Sequence, residues 1–195
     1  MLERELTKYK ALNRLAEADG IVMLGGSGDV NIPLGELKQA FALDDSIYNR
    51  SFSELSVADA AGAYGECVAE LCPDTVLLHI GEADVSAFVG KETAFEENYR
   101  ALIGTIRERN RGCRIVIVSL KNDDNDATVA EMNTLLGTIA ASEKCEFEDI
   151  SARRAWNVKE SSERASFLYS IGFDSPLRIK RPLGTLVRIL FCYEG

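Results

Sequence analysis

Three aliphatic runs, IVML (21–24), TVLLHI (75–80) and RIVIVSL (114–120), punctuate the chain at turns rich in glycine and polar residues. Each is too short for an ordinary helix, and none alternates apolar with polar as a strand with one wetted face does. Such runs read as strands buried on both faces, and those strands occur in parallel sheets covered by helices. Two weaker stretches, SIYNR (46–50) and CEFEDI (145–150), bring the expected sheet to about five strands.

The segments between supply the covering helices. Leu2, Leu6, Tyr9, Leu12 and Leu15 recur at spacings of three and four, which predicts a lead-in helix over 2–18 that stops before Gly20. A second helix is predicted over 56–71, weakened by Gly62 and Gly65. The clearest spans 92–110, with Phe95, Tyr99, Leu102, Ile103 and Ile106 on one face. A fourth starts in the polar stretch NDDNDAT (122–128) and runs to about 142. Strands alternating with helices of this length predict a single α/β domain over 1–195, in three layers.

Composition narrows the partners. Of 195 residues 46% are hydrophobic, yet no apolar run approaches the roughly 18 needed to span a bilayer. The opening MLERELTKYK lacks the apolar core of a secretory leader, so a cytoplasmic location is expected. The lack of such a run argues against membrane insertion, and a net charge of −9 argues against nucleic acid or an anionic membrane surface as the main partner. A small-molecule ligand and self-association remain the expected partners. The five cysteines are scattered without a CxxC pair and read as free thiols; with one histidine, most zinc schemes drop out, and no cofactor is expected. Any mechanism with a histidine base must use His79. Within TVLLHI that side chain is expected to face helices as a core histidine, with a displaced base as the alternative.

Ligands of parallel α/β sheets bind beyond the carboxyl ends of the strands. The residues to inspect are therefore 25–29, 49–54, 81–84 and those from 120 onward. Gly26-x-Gly28 is half a dinucleotide fingerprint, but Asn31 stands at the third glycine. Turn chemistry explains it, and an anion or nucleotide site at the Gly25–Gly28 turn is kept as an alternative. The run Asp123, Asp124, Asn125, Asp126 could hold a hard cation, but the glutamate of a calcium loop is missing and it reads as a solvated loop or helix cap. Asp29, Glu54, Glu82 and Asp84 form an acidic rim at the strand ends, and Asp29, Glu54 and Asp84 could recruit a cation.

Three blocks lie at these positions: Gly25-Gly26-Ser27 after the first run, Asn49-Arg50-Ser51-Phe52-Ser53-Glu54, and Gly81-Glu82-Ala83-Asp84. A fourth aligns at Tyr169-Ser170-Ile171-Gly172-Phe173. In order and spacing, over roughly 20–190, they resemble the SGNH (GDSL-type) hydrolases, in particular the intracellular acylhydrolases similar to platelet-activating-factor acetylhydrolase. The resemblance implies a flavodoxin-like α/β/α fold and an ester-hydrolase cleft. Ser27 matches the nucleophile, beside Gly26.

The departures decide the functional expectation. The resemblance places Glu54 where the family has an oxyanion-hole glycine, Ala83 where it has asparagine, Ser170 at the orienting aspartate and Phe173 at the base histidine. Phe173 cannot take a proton from Ser27, and an unactivated hydroxyl is a poor nucleophile. Ala83 offers no donor, and a negative charge at Glu54 would oppose an oxyanion. The expected protein is a degenerate hydrolase that binds or assembles, its cleft drawn by Gly26, Ser27, Glu54, Ala83, Asp84, Ser170 and Phe173. The alternative is a hydrolase of small acyl esters that uses Ser27 with a different base.

Overall fold

The computed structural model describes residues 2–122, 124–151 and 183–192. Five strands, β1 (Ile21–Gly25), β2 (Ile47–Asn49), β3 (Thr75–His79), β4 (Arg114–Val118) and β5 (Glu146–Glu148), form one sheet. The order is β2-β1-β3-β4-β5, and every pairing is parallel. Helices α1 (Leu2–Asn13), α2 (Leu34–Phe41), α3 (Val57–Ala63), α4 (Glu92–Arg109), α5 (Ala127–Glu143) and α6 (Leu183–Phe191) cover it. This is the expected α/β/α architecture with a flavodoxin-like strand order.

The continuous apolar runs are explained by two cores that share the sheet. Side chains alternate across a strand. Val22, Leu24, Val76, Leu78, Ile115 and Ile117 therefore enter one core, with residues of α1, α3, α4 and α5. Met23, Leu77, Val116 and Val118 enter the other, under α2 and α6. A run that must be apolar on both faces shows no period of two. Among the described residues no helix is long and apolar enough to cross a membrane.

Element edges differ from expectation where tertiary partners compete. The lead-in helix ends at Asn13, not 18, and Leu15 is exposed. At the helix's last residue the Asn13 side-chain amide donates to the Cys67 carbonyl at 2.6 Å, and its Oδ1 accepts from Arg50 Nε at 2.8 Å. The segment expected as one helix over 56–71 is α3 followed by a π-turn at Tyr64–Val68 and a 3₁₀ turn at Ala69–Leu71. Helices α2 and α6 carry no strong start or stop signals and escaped the pattern. Asp126 caps α5, accepting from the N–H groups of Thr128 (2.7 Å) and Val129 (3.3 Å).

Buried acids set an alkaline limit on stability. Burial pushes the Cys67 thiol up to about 12 and the Tyr9 phenol, which donates to the Ser51 carbonyl, also to about 12. Unfolded, the two groups release protons near 8.5 and 10. The native state thus holds protons that the unfolded chain gives up, and stability falls as pH rises from about 9 toward 12. Each group contributes a slope of up to about 1.4 kcal/mol per pH unit in that window. Urea midpoints should be flat from pH 7 to 8 and fall steeply above 9. A midpoint unchanged at pH 10.5 would contradict this assignment.

Candidate functional site

Strand β1 lies between β2 and β3, so the chain leaves it toward one side and returns on the other. That topological switch opens a crevice beyond the carboxyl ends of β1 and β3. A cleft of about 140 Å³ lies there, lined by Gly28, Asp29, His79, Glu82, Val85, Leu120, Lys121 and Val129.

Ser27 begins a 3₁₀ turn (Ser27–Asp29) directly after β1 and is exposed. A second 3₁₀ turn, Glu82–Ala87, follows β3. Gly81 makes that entry with φ +133, a conformation side chains rarely tolerate. Glu82 is thereby carried to Ser27. Its Oε2 accepts from Ser27 Oγ at 3.1 Å and from the Gly28 N–H at 3.2 Å. Gly26 leaves room for it, because a Cβ there would lie 3.0 Å from the same oxygen.

Behind Ser27 lies a buried pair. Asp29 Oδ2 and His79 Nδ1 are 2.7 Å apart, with side chains 1% and 9% exposed. His79 is the last residue of β3 and stands opposite Gly25 of β1. Gly25 has no side chain, and that opening is what the Asp29 carboxylate fills. Asn49 ties the assembly to β2: its Nδ2 donates to the Asp29 carbonyl at 2.7 Å, and its Oδ1 accepts from the Ser51 N–H at 2.9 Å. The Phe191 ring of α6 packs edge-on against the imidazole, with centroids 4.8 Å apart. His79 Nε2 and Asp29 Oδ1 are buried without partners among the described residues.

His79 is buried, as expected of a core histidine, but it lines the strand-end cleft and does not merely face helices. As the last residue of its strand, His79 reaches the crevice. The cation rim is not assembled. Asp29 turns inward onto His79, and Asp84 accepts the Val57 N–H at the start of α3 at 3.0 Å. Burial raises the Asp84 carboxyl despite that bond. Among the described residues no group of three or more His, Cys, Asp or Glu could hold a metal ion. Glu54 and Ala83 are exposed, in the loops after β2 and β3. Ser170 and Phe173 lie outside the described residues. Lys121, Val85 and Val129 were not singled out in the sequence. The signal that could have found the buried pair was the chain's one histidine at a strand end, across from a glycine.

No protein-family model and no curated protein matches the sequence. Solved structures do share its fold. A candidate platelet activating factor from Streptococcus pneumonia superposes with a TM-score of 0.66 at 16% identity, covering 87% of this chain and 91% of its own. A candidate acylhydrolase from Bacteroides fragilis gives 0.60 at 18% identity, covering 78% and 80%. An acetylxylan esterase from Geobacillus stearothermophilus gives 0.55 at 18% identity, covering 81% and 96%. The class is therefore that of the α/β/α proteins built on a parallel sheet. More narrowly, the chain has the SGNH-hydrolase fold.

Proposed function

We propose that this chain is a catalytically degenerate relative of the SGNH hydrolases that acts by binding a small molecule at the β1/β3 crevice. One observation carries the reading: Glu82 Oε2 sits on both Ser27 Oγ and the Gly28 N–H. Ester hydrolysis needs donors aimed at the oxygen where negative charge develops. Here a carboxylate already occupies the backbone amide next to the serine. Two unit charges about 4 Å apart near a protein surface repel by about 4 kcal/mol, roughly three decades in rate. With alanine at 83 no side-chain donor is supplied from that position to offset this. The same carboxylate disfavours an anion at the Gly25–Gly28 turn.

A second reading has its own observation. The Asp29–His79 pair has the geometry of an orienting carboxylate and a base, and it lines the same cleft. Under that reading the chain hydrolyses small acyl esters with Ser27 as nucleophile. A fluorophosphonate probe separates the two, because it reacts only with an activated serine. The expected intact mass after an hour of labelling is that of the unmodified chain. A stoichiometric adduct that disappears in Ser27→Ala would replace the first reading by the second.

A further inference from the structure

The cleft's polar atoms specify the chemistry of its ligand. Both bonds that hold Glu82 fall on Oε2; Oε1 has no hydrogen-bond partner among the described residues. This carboxylate is held in place before any ligand arrives, which removes part of the ordering cost of binding. The remaining wall is apolar, made by Val85, Leu120 and Val129, with Lys121 as the cleft's basic residue against the carboxylates of Asp29 and Glu82. The second, independent observation is His79: its side chain is nine-tenths buried, it lines the cleft, and Nε2 has no partner. In the tautomer that donates Nδ1–H to Asp29, Nε2 is an acceptor.

We propose that the cleft takes a small primary ammonium compound, its cation on Glu82 Oε1, its apolar body on Val85, Leu120 and Val129, and a hydroxyl or N–H donor on His79 Nε2. The cleft, about 140 Å³, suits a compact ligand. The same ammonium chemistry could belong to an amino alcohol or to an amino acid; in the latter, Lys121 meets the carboxylate. This inference rests on the cleft being a binding site and not a catalytic one.

The test is thermal unfolding of the full chain at matched ionic strength, titrated with propylamine, 3-aminopropan-1-ol, propan-1-ol and 2-aminobutyrate. At ten times the half-saturating concentration the two amines should raise Tm by about 3–5 °C, while propan-1-ol leaves it unchanged. Compared at equal ligand concentration, a larger rise with 3-aminopropan-1-ol than with propylamine supports the donor to His79, and equal shifts refute that part. A larger shift with 2-aminobutyrate supports the amino-acid source, and a smaller one the amino alcohol. Glu82→Gln keeps an acceptor for Ser27 and Gly28 and should weaken amine binding at least tenfold. No shift with any amine, or equal binding by Glu82→Gln, overturns the proposal. If the amines fail and the serine stays unlabelled by fluorophosphonate, the ammonium inference alone is lost. If the serine labels, the binding reading falls first.

Discussion

Wild type and Ser27→Ala should hydrolyse p-nitrophenyl acetate at the same slow rate, within about twofold of buffer containing an equal concentration of an unrelated protein. Serine hydrolases stripped of their triad retain only about 10³–10⁴-fold catalysis over water, supplied by the oxyanion hole and substrate binding. Losing one oxyanion donor typically costs a further 10²–10³. In this chain the resemblance to the hydrolases puts Ala83 at the position of the side-chain donor, and the Glu82 carboxylate sits on the Gly28 amide. The two effects together leave almost nothing above background. Glu82→Gln removes the charge but supplies no base, so it should raise the rate by no more than about tenfold. A steady-state rate that falls a hundredfold or more in Ser27→Ala would show instead that His79 serves the serine.

Gly25→Ala should be the most damaging single-methyl change in the chain. A Cβ at that position would lie 2.0 Å from Asp29 Oδ2 and 2.9 Å from Asp29 Cγ. The carboxylate cannot step aside cheaply. The Asp29 N–H donates to the Gly26 carbonyl at 3.1 Å, and the Asp29 carbonyl is held by Asn49 at 2.7 Å. Pushing Asp29 off His79 separates a buried charge from its partner, a change that costs about 3–5 kcal/mol. For a chain of this size that is a fall in Tm of about 10–15 °C. Gly104→Ala in α4, where an added Cβ meets nothing within 4 Å, should leave Tm unchanged or raise it slightly. Calorimetry of the two variants side by side is the measurement; a Gly25→Ala Tm within 2 °C of wild type would contradict the packing described for Asp29.

The ion pairs on the surface deserve no such weight. Glu143 accepts from Arg100 at 2.5 Å and from Arg107 at 2.8 Å, tying α5 to α4, and Arg100 holds its carboxyl below the usual range. These groups are partly exposed, and pairs of that kind contribute about 0–1 kcal/mol.

The strands were legible because a parallel sheet with both faces covered has only one way to satisfy solvation: its strands must be apolar throughout. IVML, TVLLHI and RIVIVSL meet that condition locally, so their positions could be read without knowing any neighbour. The helix of 92–110 was legible for a similar reason, since its buried face of Phe95, Tyr99, Leu102, Ile103 and Ile106 repeats at helical spacing. Helix α6 was not. Leu186, Val187, Ile189, Leu190 and Phe191 are all buried, and an apolar run this short reads equally well as a buried strand.

At the crevice the sequence on its own determined which residue types are present: one histidine in the whole chain, a serine after the first strand, glutamate and alanine where a relative of hydrolases would need donors. The single histidine follows from composition and holds whatever the fold does; the glutamate and alanine are departures only under the resemblance to the hydrolases. Only the tertiary structure decided who faces whom. Asp29 and His79 are 50 residues apart in the chain and 2.7 Å apart in space, joined because parallel pairing sets β3's last residue across from a glycine of β1. Glu82 reaches Ser27 because the left-handed-side φ of Gly81 turns the chain back over the strand ends. Register and turn geometry are collective properties of the sheet, and no local pattern of side chains encodes them.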